Sequence, residues 1–406
     1  MKRQTSTVVL TLIFSCAVIN YIDRQALSVA APAIRKELII SNSDYGWVLF
    51  CFLLAYALAQ PICGWFLDRV GTVAGFSVAV VWWSIACALH SFAGGALSFG
   101  AYRFLLGAGE AALIPASIKA ISEWLPANQR ARGIGFMNAG ISTGGLIATP
   151  VVGWMLLTIG WRLMFVITGA LGAIWLLFWM LAAPKIPTLE RVVSTSESLD
   201  YRALLKRKEI LGLILARVIS DPAWYFYLFW LPSYLAAERG FDMKQLAKFG
   251  WIPYATATAG ALFSGWLATR LLSQGWSIDR TRKRVLLIAA VLMPLGVLVT
   301  FVPSIWLALA LVSLMTMLIQ IWATSLFAIP ADLFPSSKVA SVVGFATAAG
   351  SASAMLFQTA VGYVVDWVSY TPIFITVALM HPLALFFLSR LIPRIGPLAL
   401  EDETNP

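Results

Sequence analysis

Apolar runs long enough to cross a membrane follow one another along almost the whole chain. A membrane-crossing helix needs about 20 mainly apolar residues, and twelve runs of this kind can be placed. They lie near residues 8–34, 43–67, 72–93, 96–121, 133–158, 160–183, 210–236, 245–271, 283–303, 305–329, 339–365 and 370–392. The longest polar stretch, residues 184–209, follows the sixth run. The pattern predicts an all-α membrane protein with twelve transmembrane helices, six on each side of this stretch.

The polar stretch also sets the predicted domain borders. We expect an N-terminal six-helix bundle over residues 1–183, a cytoplasmic linker loop over 184–209, and a C-terminal six-helix bundle with a short cytoplasmic tail over 210–406. The halves echo each other, because Gly64–Arg69 (GWFLDR) ends span two and Gly265–Arg270 (GWLATR) ends span eight, 201 residues later. A parallel repeat of half the chain is typical of transporters built from two pseudo-symmetric bundles with a site between them.

Composition agrees with a membrane protein. Of the 406 residues, 60% are hydrophobic and only 12% are charged, whereas about a quarter are charged in an ordinary soluble domain. The net charge of +10 could indicate a nucleic-acid partner, but the basic residues lie in short gaps between apolar runs. We therefore expect the lipid bilayer, and no nucleic acid, as the partner of this surface.

The basic residues predict the orientation in the membrane. With the N-terminus placed in the cytoplasm, 19 of the 29 Lys and Arg residues fall in cytoplasmic segments, six in external loops and four within spans. Cytoplasmic loops of membrane proteins carry an excess of Lys and Arg. The distribution predicts a multi-pass protein of the inner membrane with both termini in the cytoplasm.

Motifs for catalysis or for cofactors are missing from the sequence. There is no G-x-x-x-x-G-K, no H-E-x-x-H and no nucleophile elbow. His90 and His381 have no second ligand nearby in the sequence, and the four cysteines lack metal-ligand spacing. We expect no metal, no cofactor and no enzymatic activity, and we interpret the cysteines as packing residues.

Six ionisable residues within the spans are candidates for function, because a charge at bilayer depth costs at least a few kcal/mol. They are Asp23, Arg24, Arg103, Glu110, Arg217 and Asp221. Arg103 and Glu110 are seven residues apart, which is about two helical turns and about 10 Å of rise, so one helix face can hold a fixed cation and a titratable acid. The roles of Arg217 and Asp221, and of Lys119 near the end of span four, stay open.

The chemistry of these groups suggests anion binding coupled to protons. A guanidinium stays protonated and its fork matches a carboxylate, so Arg24 or Arg103 is expected to hold an anionic substrate. An acid among apolar helices can load and release a proton during a transport cycle, which makes Asp23 and Glu110 the predicted proton carriers, with Arg103 as their coupling partner. In the alternative interpretation, Asp23 and Arg103 form a permanent salt bridge that only holds helices together.

Two segments resemble the major facilitator superfamily. Residues 64–72 are similar to its signature loop between helices two and three, although Thr72 and Val73 replace the usual basic residues. The resemblance implies that Asp68 and Arg69 help to latch the cytoplasmic gate. Span five resembles the small-residue gate helix of the same superfamily. Its small or helix-bending residues are Gly140, Gly144, Gly145, Pro150 and Gly153.

Further segments resemble the anion:cation symporters within that superfamily. They are Asn20–Arg24 in span one, Tyr102–Ala111 in span four and Ile114–Pro126 after it. The last of these, together with Asp221–Trp224, is similar to bacterial hexuronate carriers. The resemblance implies that Arg24 faces the substrate, that the carboxylates serve coupling, and that Tyr56 contacts a sugar acid.

A sugar acid also needs hydroxyl-bonding groups and aromatic faces. The predicted substrate contacts are Tyr21, Tyr56, Gln60 and Asn138 from the first half and Trp224, Tyr225, Gln320, Thr324 and Ser351 from the second.

Taken with the resemblance, these residues predict a monomeric, proton-coupled uptake symporter for a hexuronate, working by alternating access. A carrier for another organic anion, such as an aldonate or aldarate, is the first alternative. A major facilitator exporter is the second, although two arginines in the first four spans do not suit the apolar cavity of many exporters. A membrane-embedded enzyme is the third, and it lacks a catalytic motif.

Overall fold

The computed structural model describes residues 2–125, 127–183, 207–334 and 336–396, with side chains over 7–125, 133–183, 207–334 and 342–396. Apart from residues 207–209, the predicted linker 184–209 lies outside these ranges. All regular elements in the described ranges are helical. The all-α prediction is therefore confirmed.

Thirteen α-helices account for most of the described chain. They are α1 (Lys2–Leu38), α2 (Asn42–Val70), α3 (Thr72–Leu89), α4 (Ala96–Glu110), α5 (Leu113–Trp124), α6 (Ala127–Ala182), α7 (Lys208–Arg239), α8 (Met243–Phe249), α9 (Ile252–Ser273), α10 (Ile278–Leu292), α11 (Ile305–Leu333), α12 (Ser336–Trp367) and α13 (Thr371–Leu391). Short 3₁₀ turns, His90–Phe92 and Met293–Thr300, extend α3 and α10.

Nine helical stretches in the described residues have the length and composition of membrane spans. One of them, Gly133–Ala182, is 50 residues long, which at 1.5 Å per residue is about 75 Å and more than twice the thickness of the hydrocarbon core. The predicted seventh and eighth spans overlap α7 and α9, which have 32 and 22 residues. These two helices are less apolar than the nine stretches and are not among them. Each of the twelve predicted spans thus falls on helical residues.

A break in α6 divides its long helix between the predicted fifth and sixth spans. Gly160 has a φ of 75° and a ψ of 166°, a left-handed conformation that costs a glycine little and a residue with a Cβ much more. The backbone therefore departs from helical geometry at this residue. The sequence places the end of span five at 158 and the start of span six at 160, on either side of this glycine.

Contacts divide the chain into two compact units. Unit 1 comprises Met1–Val193 together with Tyr225–Tyr254 and Met355–Ser369. Unit 2 comprises Ser194–Trp224, Ala255–Ala354 and Tyr370–Pro406. The two bundles related by an axis along the membrane normal stay a prediction.

Within unit 1, α1 and α6 approach each other closely because two residues of α6 lack side chains. A Cβ at Gly140 would lie 2.4 Å from the carbonyl oxygen of Phe14, and a Cβ at Gly144 would lie 2.6 Å from that of Val18. Small residues allow such backbone contact between membrane helices. The small residues predicted in span five therefore hold α6 against α1, the helix that carries Asp23 and Arg24.

The first turn of α2 is tied to the end of α12, also within unit 1. The Asp366 carboxylate accepts hydrogen bonds from the backbone N–H of Asn42 at 3.0 Å and of Ser43 at 2.6 Å. It also accepts from the Asn42 amide at 2.8 Å and the Ser43 hydroxyl at 2.6 Å. An anion suits this position, since the first N–H groups of a helix have no partner within the helix.

Unit 2 is held together by α11. The Thr256 hydroxyl donates to the Ser313 carbonyl at 2.8 Å and the Ser264 hydroxyl to the Ile321 carbonyl at 3.0 Å, which joins α9 to α11. Arg282 of α10 pairs with Asp332 of α11 at 2.7 Å. These buried or half-buried polar contacts join both α9 and α10 to α11.

Candidate functional site

A buried ion pair between α1 and α4 forms the centre of the candidate site in unit 1. The Arg24 Nε donates to Glu110 Oε2 at 2.9 Å, and the side chains of the two residues are 6% and 0% exposed. Desolvation of a charge this deeply buried costs several kcal/mol per ion, and the opposite charge of the partner offsets part of this cost. A charge that changes partners during the predicted transport cycle would account for a buried pair at this cost.

Three aromatic rings surround the Arg24 guanidinium. Its central carbon lies 4.9 Å from the Tyr21 ring centroid, 4.8 Å from that of Tyr56 and 5.3 Å from that of Phe52. Each distance is within the range of a cation–π contact. The rings hold the guanidinium in place and line it with flat faces of the kind that pack against a sugar ring. Two of the three, Tyr21 and Tyr56, were predicted from the sequence as substrate contacts.

Asp23 and Arg103 do not form the salt bridge that the alternative interpretation requires. No ion pair joins them among the described side chains; Arg103 instead donates from Nη1 to the Arg24 carbonyl at 3.2 Å. The nearest polar partner of Asp23 is the Cys87 thiol, whose sulfur lies 3.6 Å from Oδ1. The permanent Asp23–Arg103 bridge is therefore wrong for this structure, and the buried pair is Arg24–Glu110. Neighbouring residues on α1 point in directions about 100° apart, which separates their partners.

Several polar atoms around the pair have no hydrogen-bond partner in the part of the chain that the structure describes. They are Asp23 Oδ2, Glu110 Oε1, Arg103 Nε and Nη2, and both amide atoms of Asn20. All four residues are nearly inaccessible, at 0–1% exposure. An unpaired buried polar group costs about 1–3 kcal/mol. Such a concentration is typical of a site where ligands and protons supply the missing partners.

Three further predicted substrate contacts, Tyr225, Gln60 and Asn138, lie in unit 1 in different surroundings. Tyr225 stacks on Phe229 with 5.9 Å between ring centroids, and Phe229 lies edge-on to Phe52 at 6.5 Å. This chain of rings reaches the aromatic group around Arg24. Gln60 is half-buried and Asn138 is exposed.

Four predicted substrate contacts, Trp224, Gln320, Thr324 and Ser351, are half-buried residues of unit 2. Near them, the Trp322 indole donates to the Ser220 hydroxyl at 3.0 Å. The role of this group in binding stays a prediction.

Arg217 and Asp221, whose roles the sequence left open, form an ion pair within α7. Arg217 Nη1 lies 3.2 Å from Asp221 Oδ2, and the guanidinium carbon lies 3.5 Å from the Phe327 ring centroid. A Cβ at Gly350 would lie 2.2 Å from Asp221 Oδ2. The two residues thus form an intrahelical i, i+4 pair, and it is packed against α11 and α12 of unit 2.

The predicted gate residues lie at the end of α2. Asp68 pairs with Lys119 Nζ at 2.6 Å, and Lys119 also donates to the Leu67 carbonyl at 2.9 Å. The Arg69 guanidinium lies 4.4 Å from the Trp65 ring centroid. Lys119 thus joins α5 to the last turn of α2. Gating by Asp68 and Arg69 stays a prediction.

Sequence reasoning missed Cys87 and Asp366 as partners of functional groups. Cys87 was interpreted as packing, and Asp366 was not singled out. Both contacts join residues far apart in the chain, 64 positions for Cys87 and Asp23 and 323 for Asp366 and Ser43. Local spacing carries no signal for either.

Among the described residues, no group of His, Cys, Asp and Glu could hold a metal ion.

Comparison with known proteins identifies the family. The sequence pattern of the Major Facilitator Superfamily matches residues 13–274. The hexuronate transporter of Escherichia coli strain K12 is 29% identical over 409 aligned residues, covering 96% of this chain and 94% of that protein. The galacturonate transporter of Dickeya chrysanthemi is 31% identical over 295 residues, covering 68% of this chain and 85% of that protein.

A solved structure shares the fold. The crystal structure of a D-xylose-proton symporter superposes with a TM-score of 0.78, at 17% identity, over 97% of this chain and 99% of that one. With buried charges on apolar helices, these matches define a multi-pass membrane transporter and not an enzyme. The chain belongs to the Major Facilitator Superfamily and is similar across most of its length to bacterial transporters of sugar acids.

Proposed function

We propose that the protein is a proton-coupled symporter that takes up a hexuronate by alternating access. The observation that supports this most directly is the buried Arg24–Glu110 pair, set between the rings of Tyr21 and Tyr56. The names of the relatives, a hexuronate transporter and a galacturonate transporter, support the substrate class.

The chemistry of a hexuronate fits the residues around Arg24. The substrate has one carboxylate, which a guanidinium binds with two parallel hydrogen bonds. Its ring has apolar faces for Tyr21 and Tyr56 and several hydroxyl groups for polar side chains. Further contacts are proposed from Gln60, Asn138 and Tyr225 of unit 1 and from Trp224, Gln320, Thr324 and Ser351 of unit 2.

Proton coupling follows from the competition for Arg24. While Glu110 is ionised, its carboxylate occupies the guanidinium and a second carboxylate meets like charge. A proton on Glu110 removes that charge and leaves Arg24 free to bind the carboxylate of the substrate. Proton and substrate then favour each other's binding, and this mutual preference is the thermodynamic requirement for symport. Asp23 is the second proposed proton carrier, and Arg103 favours the ionised state of both acids.

We propose that the protein lies in the inner membrane as a monomer with both termini in the cytoplasm. The excess of Lys and Arg in the segments assigned to the cytoplasm supports this orientation. It places Asp68 and Arg69 at the cytoplasmic end of α2, where they would help to close the inner gate. Asp366 and Ser43 would then lie on the external side.

Uptake into proteoliposomes tests the proposal. Labelled galacturonate, glucuronate, galactonate and glucarate are compared with and without an inward proton gradient, and with a protonophore. We expect a hexuronate to accumulate only with the gradient, and we expect this accumulation to be lost when the protonophore is added. Accumulation of galactonate or glucarate alone would support the alternative organic-anion carrier. Gradient-independent accumulation would contradict proton coupling.

A further inference from the structure

Asp23 has a single hydrogen-bond partner for its side chain among the described residues, and it is a thiol. Asp23 lies on α1 and Cys87 on α3, both 0% exposed. The Cys87 sulfur is 3.6 Å from Asp23 Oδ1, and Asp23 Oδ2 has no hydrogen-bond partner in the described part of the chain. An ionised carboxylate accepts hydrogen bonds and donates none, so at this contact the thiol is the donor.

The thiol also has a second set of acceptors, on α6. Its sulfur lies 3.3 Å from the Thr168 hydroxyl oxygen and 3.9 Å from the Phe165 carbonyl oxygen. The Thr168 hydroxyl itself donates to the Phe165 carbonyl at 3.2 Å. A thiol has one hydrogen to donate, so Cys87 must choose between the carboxylate on α1 and the oxygen atoms of α6.

We propose that Cys87 is a positioning residue for proton exchange at Asp23. When Asp23 is ionised, the S–H of Cys87 donates to its carboxylate. When Asp23 takes up a proton, the carboxyl group no longer requires this donor, and the S–H turns to the oxygen atoms of Thr168 and Phe165. The inference rests on the proposed proton coupling and deepens it, because it names the group that responds to the charge of Asp23.

The electrostatic surroundings explain why one weak donor is important. Among the described residues, Glu110 and Arg103 from α4 are the charged groups that act on Asp23, with opposite effects, and the Cys16 thiol on α1 is a further titratable neighbour. No charged group among the described side chains bonds directly to the carboxylate. Within that part of the chain, the hydrogen bond from Cys87 is the only direct support for the ionised form, and hydrogen bonds to a charged form favour it.

The first test measures the pH dependence of gradient-driven uptake for Cys87→Ala and Cys87→Ser. Loss of the donor should make Asp23 retain its proton to higher pH, so Cys87→Ala should raise the pH of half-maximal uptake by about 0.5–1 unit, as expected for one hydrogen bond from a weak donor such as a thiol. Cys87→Ser keeps a donor and should restore the parent profile. Cys63→Ala is the control, because Cys63 contacts the Ala108 carbonyl on α4 and not Asp23.

The second test reads the thiol directly and does not require transport. In a variant with Cys16, Cys51 and Cys63 replaced by alanine, the infrared S–H stretching band reports Cys87 alone. We expect the band to shift with pH and to become pH-independent when Asp23→Asn is added. A band that titrates identically with and without Asp23 would overturn the proposal, as would matching uptake profiles for Cys87→Ala and Cys63→Ala.

The two tests separate this inference from the proposed function. Absence of hexuronate uptake with a titrating S–H band would refute the substrate and leave the Cys87–Asp23 contact standing. Proton-driven uptake with an invariant band would leave the symporter standing and refute the role of Cys87. Where Cys87→Ala does not fold, the infrared titration of the S–H band still decides the question.

Discussion

The guanidinium of Arg24 and the carboxylate of Glu110 form a 2.9 Å ion pair with almost no exposure to solvent. The two residues are 86 positions apart and lie on α1 and α4. Replacing one member of such a pair leaves the other charge buried and alone, at a cost of about 3–5 kcal/mol. The pair therefore contributes to the stability of the fold and is also a candidate for substrate binding.

Arg24→Ala is expected to lower the affinity for hexuronate at least about 30-fold, because removing one member of a buried charge pair costs about 2–5 kcal/mol. Arg24→Lys should rescue binding poorly, since an ammonium group cannot reproduce the fork of a guanidinium. Calorimetric titration of purified protein with galacturonate measures both. Arg162→Lys is the matched control, because Arg162 is half-exposed and pairs with Glu37. Normal affinity of a folded Arg24→Ala variant would place the anion-binding group elsewhere.

Gly144→Ala should destabilise the protein, whereas Gly135→Ala on the same helix should not. A Cβ at residue 144 would meet the Val18 carbonyl at 2.6 Å, and one at residue 135 meets nothing within 4 Å. Overpacking costs about 1–3 kcal/mol, while an exposed glycine-to-alanine change in a helix gains up to about 1 kcal/mol. Thermal unfolding in detergent, followed by tryptophan fluorescence, should give a lower midpoint for Gly144→Ala only. Equal midpoints for the two variants would contradict the close α1–α6 contact.

The helices could be predicted from the sequence, but the pairing of charges could not. Long apolar runs indicate spans without knowledge of their neighbours, and the break at Gly160 falls between two predicted spans. Which acid meets which arginine depends on the rotation of α1 against α4. Since Asp23 and Arg24 are adjacent and point about 100° apart, the rotation of α1 decides which of them faces α4, and local spacing does not fix that rotation. The sequence therefore identified buried charged residues but not the Arg24–Glu110 pairing, and their roles in transport stay a prediction.

Asp366→Ala should weaken the contact between α2 and the end of α12. The carboxylate accepts four hydrogen bonds from Asn42 and Ser43, which caps a helix from another part of the chain. Loss of a cap costs about 0.5–2 kcal/mol, so the thermal midpoint should fall. Asp366→Asn keeps one oxygen acceptor and should lie between the parent and the alanine variant. The cap would be unimportant if both variants unfolded at the parent temperature.

Glu110→Gln should separate substrate exchange from proton-driven accumulation. The amide mimics the protonated acid, so Arg24 stays free, and the variant should bind substrate and exchange it across the membrane in counterflow. It should not concentrate substrate against a gradient, because accumulation requires that protonation and substrate occupancy bias the same conformational equilibrium, and a group that cannot titrate contributes no bias.

The same reasoning applies to Asp23→Asn. Proton-driven uptake should be lost, and the S–H of Cys87 should lose its charged acceptor. Counterflow and gradient-driven uptake are measured on the same purified variant. Glu37→Gln is the control, because Glu37 pairs with Arg162 and its side chain is 47% exposed. If both Glu110→Gln and Asp23→Asn accumulate substrate fully, these two acids do not carry the coupled protons. The next candidate is then Asp221, the half-buried carboxylate that pairs with Arg217 in unit 2.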